Sequence, residues 1–219
     1  MNATLLDLIF PNRCLHCNRI IPGTEVVCGN CYSQIHFTHF QFQENNRLKE
    51  QCKLLFPVEN AFALMHFEKE GLTQKILHQL KYASREKIGK IIASWIIQNI
   101  EFGDEKPDLL VTIPLHPKKM KKRGYNQLHL FTETLSKHYG IPFDHEVLQR
   151  THYHKAQANR SRKERLISEK KFTLQKDISN KHILMIDDVF TTGNTMSDAA
   201  WEILKNPGNK ISVLVMAVD

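Results

Sequence analysis

The chain has 219 residues, 42% of them hydrophobic, enough to bury the core of one domain or of one domain plus a small appendage. Thirty basic against 23 acidic residues leave a net charge of +7, which disfavours basic partners and points to anions, either phosphate-bearing small molecules or nucleic acid. No apolar run approaches the roughly 18 residues of a membrane span, and the opening MNATLLDLIF is interrupted by Asp7 and lacks a basic leader, so a cytoplasmic protein with reduced thiols is expected.

Chemistry begins early in the chain. The segment CLHCNRIIPGTEVVCGNC sets Cys14 and Cys17 against Cys28 and Cys31, two C-x2-C pairs separated by ten residues. In a reducing compartment this spacing favours metal over disulfides, and four thiolates suit a closed, structural zinc site. Pro22 and Gly23 reverse the chain so that the pairs can meet. His16, His36 and His39 lie close enough in sequence to substitute for a cysteine, and Cys52 reads as a small apolar filler. A segment of this size, taken as residues 1–55, buries little surface, so the metal would supply most of its folding free energy.

The pattern changes after that segment, and residues 56–219 read as a second unit. VENAFALMHF predicts a strand, with Gly71 closing the turn after it. LTQKILHQLKYA places Leu72, Ile76, Leu77 and Leu80 on one helical face, and EKIGKIIASWIIQNI continues as a more apolar helix. PDLLVTIPL reads as a buried strand and GYNQLHLFTETLSKHYG as an amphipathic helix closed by Gly140. HEVLQ and KFTL are short strands on either side of a long polar stretch. KHILMID is a strand, TMSDAAWEILKN a helix with Ala199, Ile203 and Leu204 on its core face, and KISVLVMAV the last strand. Apolar strands alternating with helices predict an α/β fold, an open and mainly parallel sheet with flanking helices.

Adjacent aspartates at the tip of a buried strand need a reason, because burial raises the cost of ionising either one and the two repel. In parallel sheets ligands sit beyond the carboxyl ends of the strands, where Asp187 and Asp188 are expected. The following VFTTGNT offers a glycine for close backbone approach, three hydroxyls and backbone N–H groups opening onto a helix, which together make a phosphate cradle. A ribose 5-phosphate whose 2- and 3-hydroxyls donate to the aspartates would satisfy both halves. A lone N-capping aspartate would explain neither the second acid nor the T-T-G.

Two basic stretches accompany this motif. HPKKMKKRGYNQ carries Lys118, Lys119, Lys121, Lys122 and Arg123 with no acid between them, and it leaves a strand expected in the same sheet. It would bring countercharge for a pyrophosphate leaving group, with Arg123 and Gly124 at the helix entrance best placed, or else form a solvated basic loop or nucleic-acid patch. RTHYHKAQANRSRKERLISEKKF is longer and strongly basic, and reads as a lid that closes over bound phosphates and excludes water.

IDDVFTTGNT resembles the phosphoribosyl pyrophosphate signature of the type I phosphoribosyltransferases. The four-cysteine start, LKY at 80–82, IPLHPKKMKKRGYNQ and AQANRSRKERL, in this order, resemble the ComF family, bacterial proteins associated with natural competence and DNA uptake. The resemblance implies a zinc-binding amino-terminal segment of the double zinc ribbon kind ahead of a phosphoribosyltransferase domain that binds phosphoribosyl pyrophosphate with Mg2+. It implies ligand contacts from Asp187, Asp188, Val189, Phe190, Thr191, Thr192, Gly193, Asn194 and Thr195, with Arg123 and Gly124; Asp187, Asp188 and Arg123 would carry catalysis. Gln157, Arg162 and Arg165 would belong to the lid, where His154 and Ser168 replace the family's usual threonine and asparagine. The function implied is transfer of phosphoribose to an acceptor that the sequence does not identify. The other reading is a non-catalytic accessory module of the transformation machinery that holds the metabolite, or binds single-stranded DNA or a competence protein.

Overall fold

A computed structural model describes residues 11–82, 87–150 and 171–219. Its strands are β1 (Ala61–His66), β2 (Leu109–Thr112), β3 (Phe143–Asp144), β4 (Leu148–Arg150), β5 (Phe172–Leu174), β6 (His182–Phe190) and β7 (Lys210–Val218). Five of them form a wholly parallel sheet in the order β1-β7-β6-β2-β3, while β4 and β5 make a separate antiparallel pair. The central strands β6 and β7 are the long apolar runs HILMIDDVF and KISVLVMAV; covered on both faces, they have no polar side for solvent to select, so they lack alternation.

The helices are α1 (Gly29–Tyr32), α2 (Arg47–Lys53), α3 (Leu72–Leu80), α4 (Lys87–Ile97), α5 (Pro117–Arg123), α6 (His129–Tyr139) and α7 (Asn194–Ile203). Leu184 and Ile186 of β6 pack on one side with apolar residues of α3, α4 and α6, whereas Ile183 and Met185 pack on the other with α2 and α7. Cys52 lies on the α2 side in contact with none of the other cysteines, fully buried among residues such as Leu48 and Phe56; burial pushes its thiol pKa up to about 12, so it fills space as expected. No helix among the described residues is long and apolar enough to cross a membrane.

Three local readings change. The basic stretch after β2 is a short helix, α5, started by Pro117 and ended by Gly124, whose φ of 78° supplies a left-handed cap. The amphipathic helix therefore begins only at His129. The strand expected over HEVLQ, residues 145–149, is realised only from Leu148: Phe143–Asp144, just before it, joins the edge of the main sheet, and Leu148–Arg150 turns away to pair with Phe172–Leu174. A run of five residues with one strong apolar pair, Val147 and Leu148, carries too little periodicity to show which sheet it joins.

Candidate functional site

β6 does not stop at the acidic pair. It pairs with β7 as far as Phe190, but its pairing with β2 ends at Ile186, so residues 187–190 project past the carboxyl end of β2 and open a crevice. Successive strand side chains point to opposite faces, and the aspartates do so here. Asp188 faces the α3 and α6 side, where it meets Lys81 and Gln127, while Asp187 lines a hollow with Val189 and the turn that follows.

That hollow holds about 40 Å³ and is bounded by Asp187 and residues 189–196. At roughly 10–15 Å³ per water-sized probe, it accommodates a few waters or one tetrahedral anion. Gly193 makes the turn possible: its φ is 74°, and a Cβ there would stand 2.4 Å from Leu55 Cδ1 and 2.6 Å from Phe190 Cζ. It is also the N-cap of α7 and offers no capping side chain, so first-turn N–H groups of a ten-residue helix have no capping oxygen. Thr191, Thr192, Asn194 and Thr195 surround the same space.

Asp187 is half-buried. Removal from solvent, reinforced by the neighbouring Asp188 carboxylate, drives its pKa up to about 8, against the opposing pull of the Asp188 N–H, Lys81 and Arg150. The Asp188 N–H donates to Asp187 Oδ1 at 2.8 Å. Asp187 therefore largely keeps its proton near neutral pH, and a ligand bringing positive charge would favour its release.

Asp188 is held differently. Its Oδ2 accepts from Gln127 Nε2 at 2.8 Å and lies 3.1 Å from Lys81 Nζ. Gln127, itself buried, accepts from Arg123 Nη1 at 2.7 Å, so Arg123 reaches the acid through the glutamine. Lys81 and Gln127 are absent from the site residues expected from the sequence, although both lie in motifs singled out there, LKY and RGYNQ. Only the packing of α3 and of the α5–α6 turn against β6 reveals their common target. The four lysines of α5 are exposed, whereas Arg123 is half-buried. Gly124 serves as the helix cap beside it.

A wider cleft of about 1410 Å³ lies beyond β2 and β3, walled by residues including Pro114, Leu115, Asn126 and Phe143. His129 and His145 stack in its wall with ring centroids 3.8 Å apart, and burial, reinforced by His129, lowers His145 to about 4. Both rings are thus neutral at pH 7 and act as an aromatic wall. The β4–β5 pair holds the two ends of the long basic stretch side by side, with Arg150 opposite Phe172. The expected lid residues Gln157, Arg162 and Arg165 lie outside the described residues.

In the amino-terminal segment, Cys14, Cys17, Cys28 and Cys31 place their sulfurs within 4.8 Å of one another, the Cys17 and Cys28 sulfurs 3.6 Å apart. Tetrahedral Zn–S bonds of about 2.3 Å require edges of about 3.8 Å, so the donor set fits zinc. Burial works against ionising Cys14, but backbone N–H groups of Cys17, Cys28 and His16 outweigh it and bring the thiol down to about 6. The nearby histidines are directed elsewhere: His36 pairs with Glu68, and His16 approaches Lys75. Tyr32 and Phe37 stack edge-on against Trp95 of α4, docking this segment on the sheet domain.

An open parallel sheet with an acid-tipped strand, a glycine-built turn behind it and a cysteine tetrad ahead defines a zinc-ribbon protein of the phosphoribosyltransferase class. Sequence comparison agrees: residues 78–218 match the phosphoribosyl transferase domain and residues 5–42 the double zinc ribbon domain. The chain belongs to the phosphoribosyltransferase domain family, and within it to the ComF proteins. It is 29% identical over 146 residues to DNA utilization protein YhgH of Escherichia coli (strain K12), an alignment covering 63% of each chain. It is 35% identical over 97 residues to competence protein ComFC of Bacillus subtilis (strain 168), covering 44% of this chain and 38% of that one. Competence protein F of Haemophilus influenzae aligns at 22% identity over 95% of this chain and 97% of its own. The match to the YhgH proteins thus spans a little under two thirds of their length.

Proposed function

We propose that this protein binds phosphoribosyl pyrophosphate with Mg2+ and transfers the phosphoribosyl group to a nucleophilic acceptor. One observation carries the reading: Asp187 lines the same hollow as the turn at 189–196, while Asp188 faces the cationic side of the same crevice. The turn's backbone N–H groups and hydroxyls would take the 5-phosphate, and the acidic pair the ribose hydroxyls. Arg123, steadied by Gln127, would balance charge developing on the leaving pyrophosphate. When bound, Mg2+ supplies further neutralisation of that leaving group. Transfer through a cation-like sugar centre needs positioned charge more than a protein nucleophile. Titration calorimetry with phosphoribosyl pyrophosphate and Mg2+ tests the reading: saturable heat is expected, with affinity about 10- to 150-fold lower in Asp188→Asn, and a folded sample giving no heat rules it out.

In the same reading residues 1–55 form a structural zinc segment and residues 56–219 the transferase-like unit, working in the cytoplasm, where free thiols such as the five found here persist. The names of the relatives and a net charge of +7 favour a second role in handling single-stranded DNA. Such binding would weaken with salt at a log-log slope of about 0.7 per neutralised phosphate; salt-independent or absent binding removes it.

A further inference from the structure

The most specific contact in the crevice belongs to a residue that no part of the acidic motif predicts. Lys81 directly follows α3, and its ammonium reaches Asp188 Oδ2 at 3.1 Å; the lysine side chain is 30% exposed and that of Asp188 15%. The same oxygen accepts from Gln127. A carboxylate oxygen offers about two lone-pair positions, so Oδ2 is fully engaged. The backbone carrying Lys81 is pinned as well: the Tyr125 hydroxyl meets the carbonyl oxygens of Leu80 at 2.5 Å and Tyr82 at 2.7 Å, tying both flanks of Lys81 to the turn that leads into α6.

We propose that Lys81 is the resident counterion of the acidic pair. In the unliganded protein its ammonium occupies the position on Asp188 that a ligand hydroxyl or a bound cation would take, and ligand entry displaces it. The side chain then turns to the phosphate oxygens of the same ligand. This inference rests on the phosphoribosyl pyrophosphate reading for its second half alone.

The geometry favours a movable stand-in over a fixed strut. The backbone is latched while the charged group sits at the end of four methylenes, partly in solvent, so the ammonium can swing without disturbing the helix end. Its removal would take the one ammonium paired with Asp188 among the described residues, leaving Gln127, a peptide N–H and the more distant charge of Arg150 to offset the two carboxylates.

The test compares wild type with Lys81→Met, Lys81→Arg and, as a surface control, Lys205→Met, all as full chains. Mn2+ alone, followed by the electron paramagnetic resonance of the free ion, reads competition for the acids. Because a unit charge about 4 Å away is a substantial field even at high effective dielectric, Lys81→Met should bind Mn2+ about tenfold more tightly than wild type. Lys81→Arg and Lys205→Met should match wild type. In calorimetry with phosphoribosyl pyrophosphate and Mg2+, Lys81→Met should bind about tenfold more weakly, having lost a phosphate contact. Opposite shifts for the two probes support the exchange. Mn2+ affinity no higher in Lys81→Met than in wild type overturns it, as would weakening of both probes alike. Should wild type give no heat with phosphoribosyl pyrophosphate, the proposed function fails, and the Mn2+ comparison alone decides whether Lys81 is the counterion.

Discussion

Gln127 joins Arg123 to Asp188, accepting from the guanidinium at 2.7 Å and donating to the carboxylate at 2.8 Å. Its amide has one acceptor oxygen and one donor nitrogen, so a buried glutamine here can pass orientation from a cation to an acid without bringing charge of its own. Residues in such a chain act as a unit. Arg123→Ala and Gln127→Ala should each weaken phosphoribosyl pyrophosphate binding, and the double variant should lose less than the sum, with a coupling of about 0.5–3 kcal/mol. A double-mutant cycle by calorimetry reads this directly; strict additivity would separate Arg123 from the acid.

Asp188→Asn keeps the shape and hydrogen bonds of the side chain but removes its charge. Loss of a charge-assisted contact is worth about 1.5–3 kcal/mol, or about 10- to 150-fold in affinity. The circular dichroism spectrum should be unchanged, because the residue lies past the end of β2 and outside the apolar core.

Asp187 makes stability depend on pH. Its folded pKa, about 8, lies above the ordinary aspartate value of about 3.8, so between those values the native state holds a proton that the unfolded chain has lost. Stability should therefore be fully present below about pH 4 as far as this group is concerned, and decline as pH rises through 8. Asp187→Asn removes that slope. Urea midpoints at pH 6 and pH 9 should differ less in the variant than in wild type, and an unchanged difference would assign the slope to other groups.

Gly193→Ala tests the turn. A left-handed backbone costs an L-residue about 1–2 kcal/mol, and overpacking against Leu55 and Phe190 adds about 1–3 kcal/mol. A lowered urea midpoint is expected together with loss of phosphoribosyl pyrophosphate binding, since the turn must shift to admit the methyl.

Removing metal should be felt at Trp95, because Tyr32 and Phe37 of the cysteine segment pack on that ring. A strong chelator should red-shift Trp95 emission, with added zinc restoring it. The chain has two tryptophans, so the shift should vanish in Trp95→Phe while Trp201 still emits. Emission insensitive to chelator would argue against a structural ion at the tetrad.

Much of this protein was legible residue by residue. The apolar runs of β6 and β7, the cysteine spacing and the acid pair ahead of T-T-G-N-T are local signals, each complete within about 20 residues. Short elements were not: α5 is nucleated by a proline in a stretch dominated by lysines, and β3 and β4 are too brief for periodicity to register. Lys81 and Gln127 stood in view within recognised motifs, yet nothing in either motif indicates an aspartate as its target.

The order of residues alone was therefore enough for the class of sheet, the metal-type amino terminus and the position of the acidic strand, because periodicity and spacing act over neighbours in the chain. It could not tell which way each aspartate faces or what meets it. Gln127 and Asp188 are 61 positions apart, and they meet because α6 packs on β2, the strand that pairs with β6. Side chains distant in sequence are brought together by the burial of apolar surface, and the polar contacts at the rim follow from that packing.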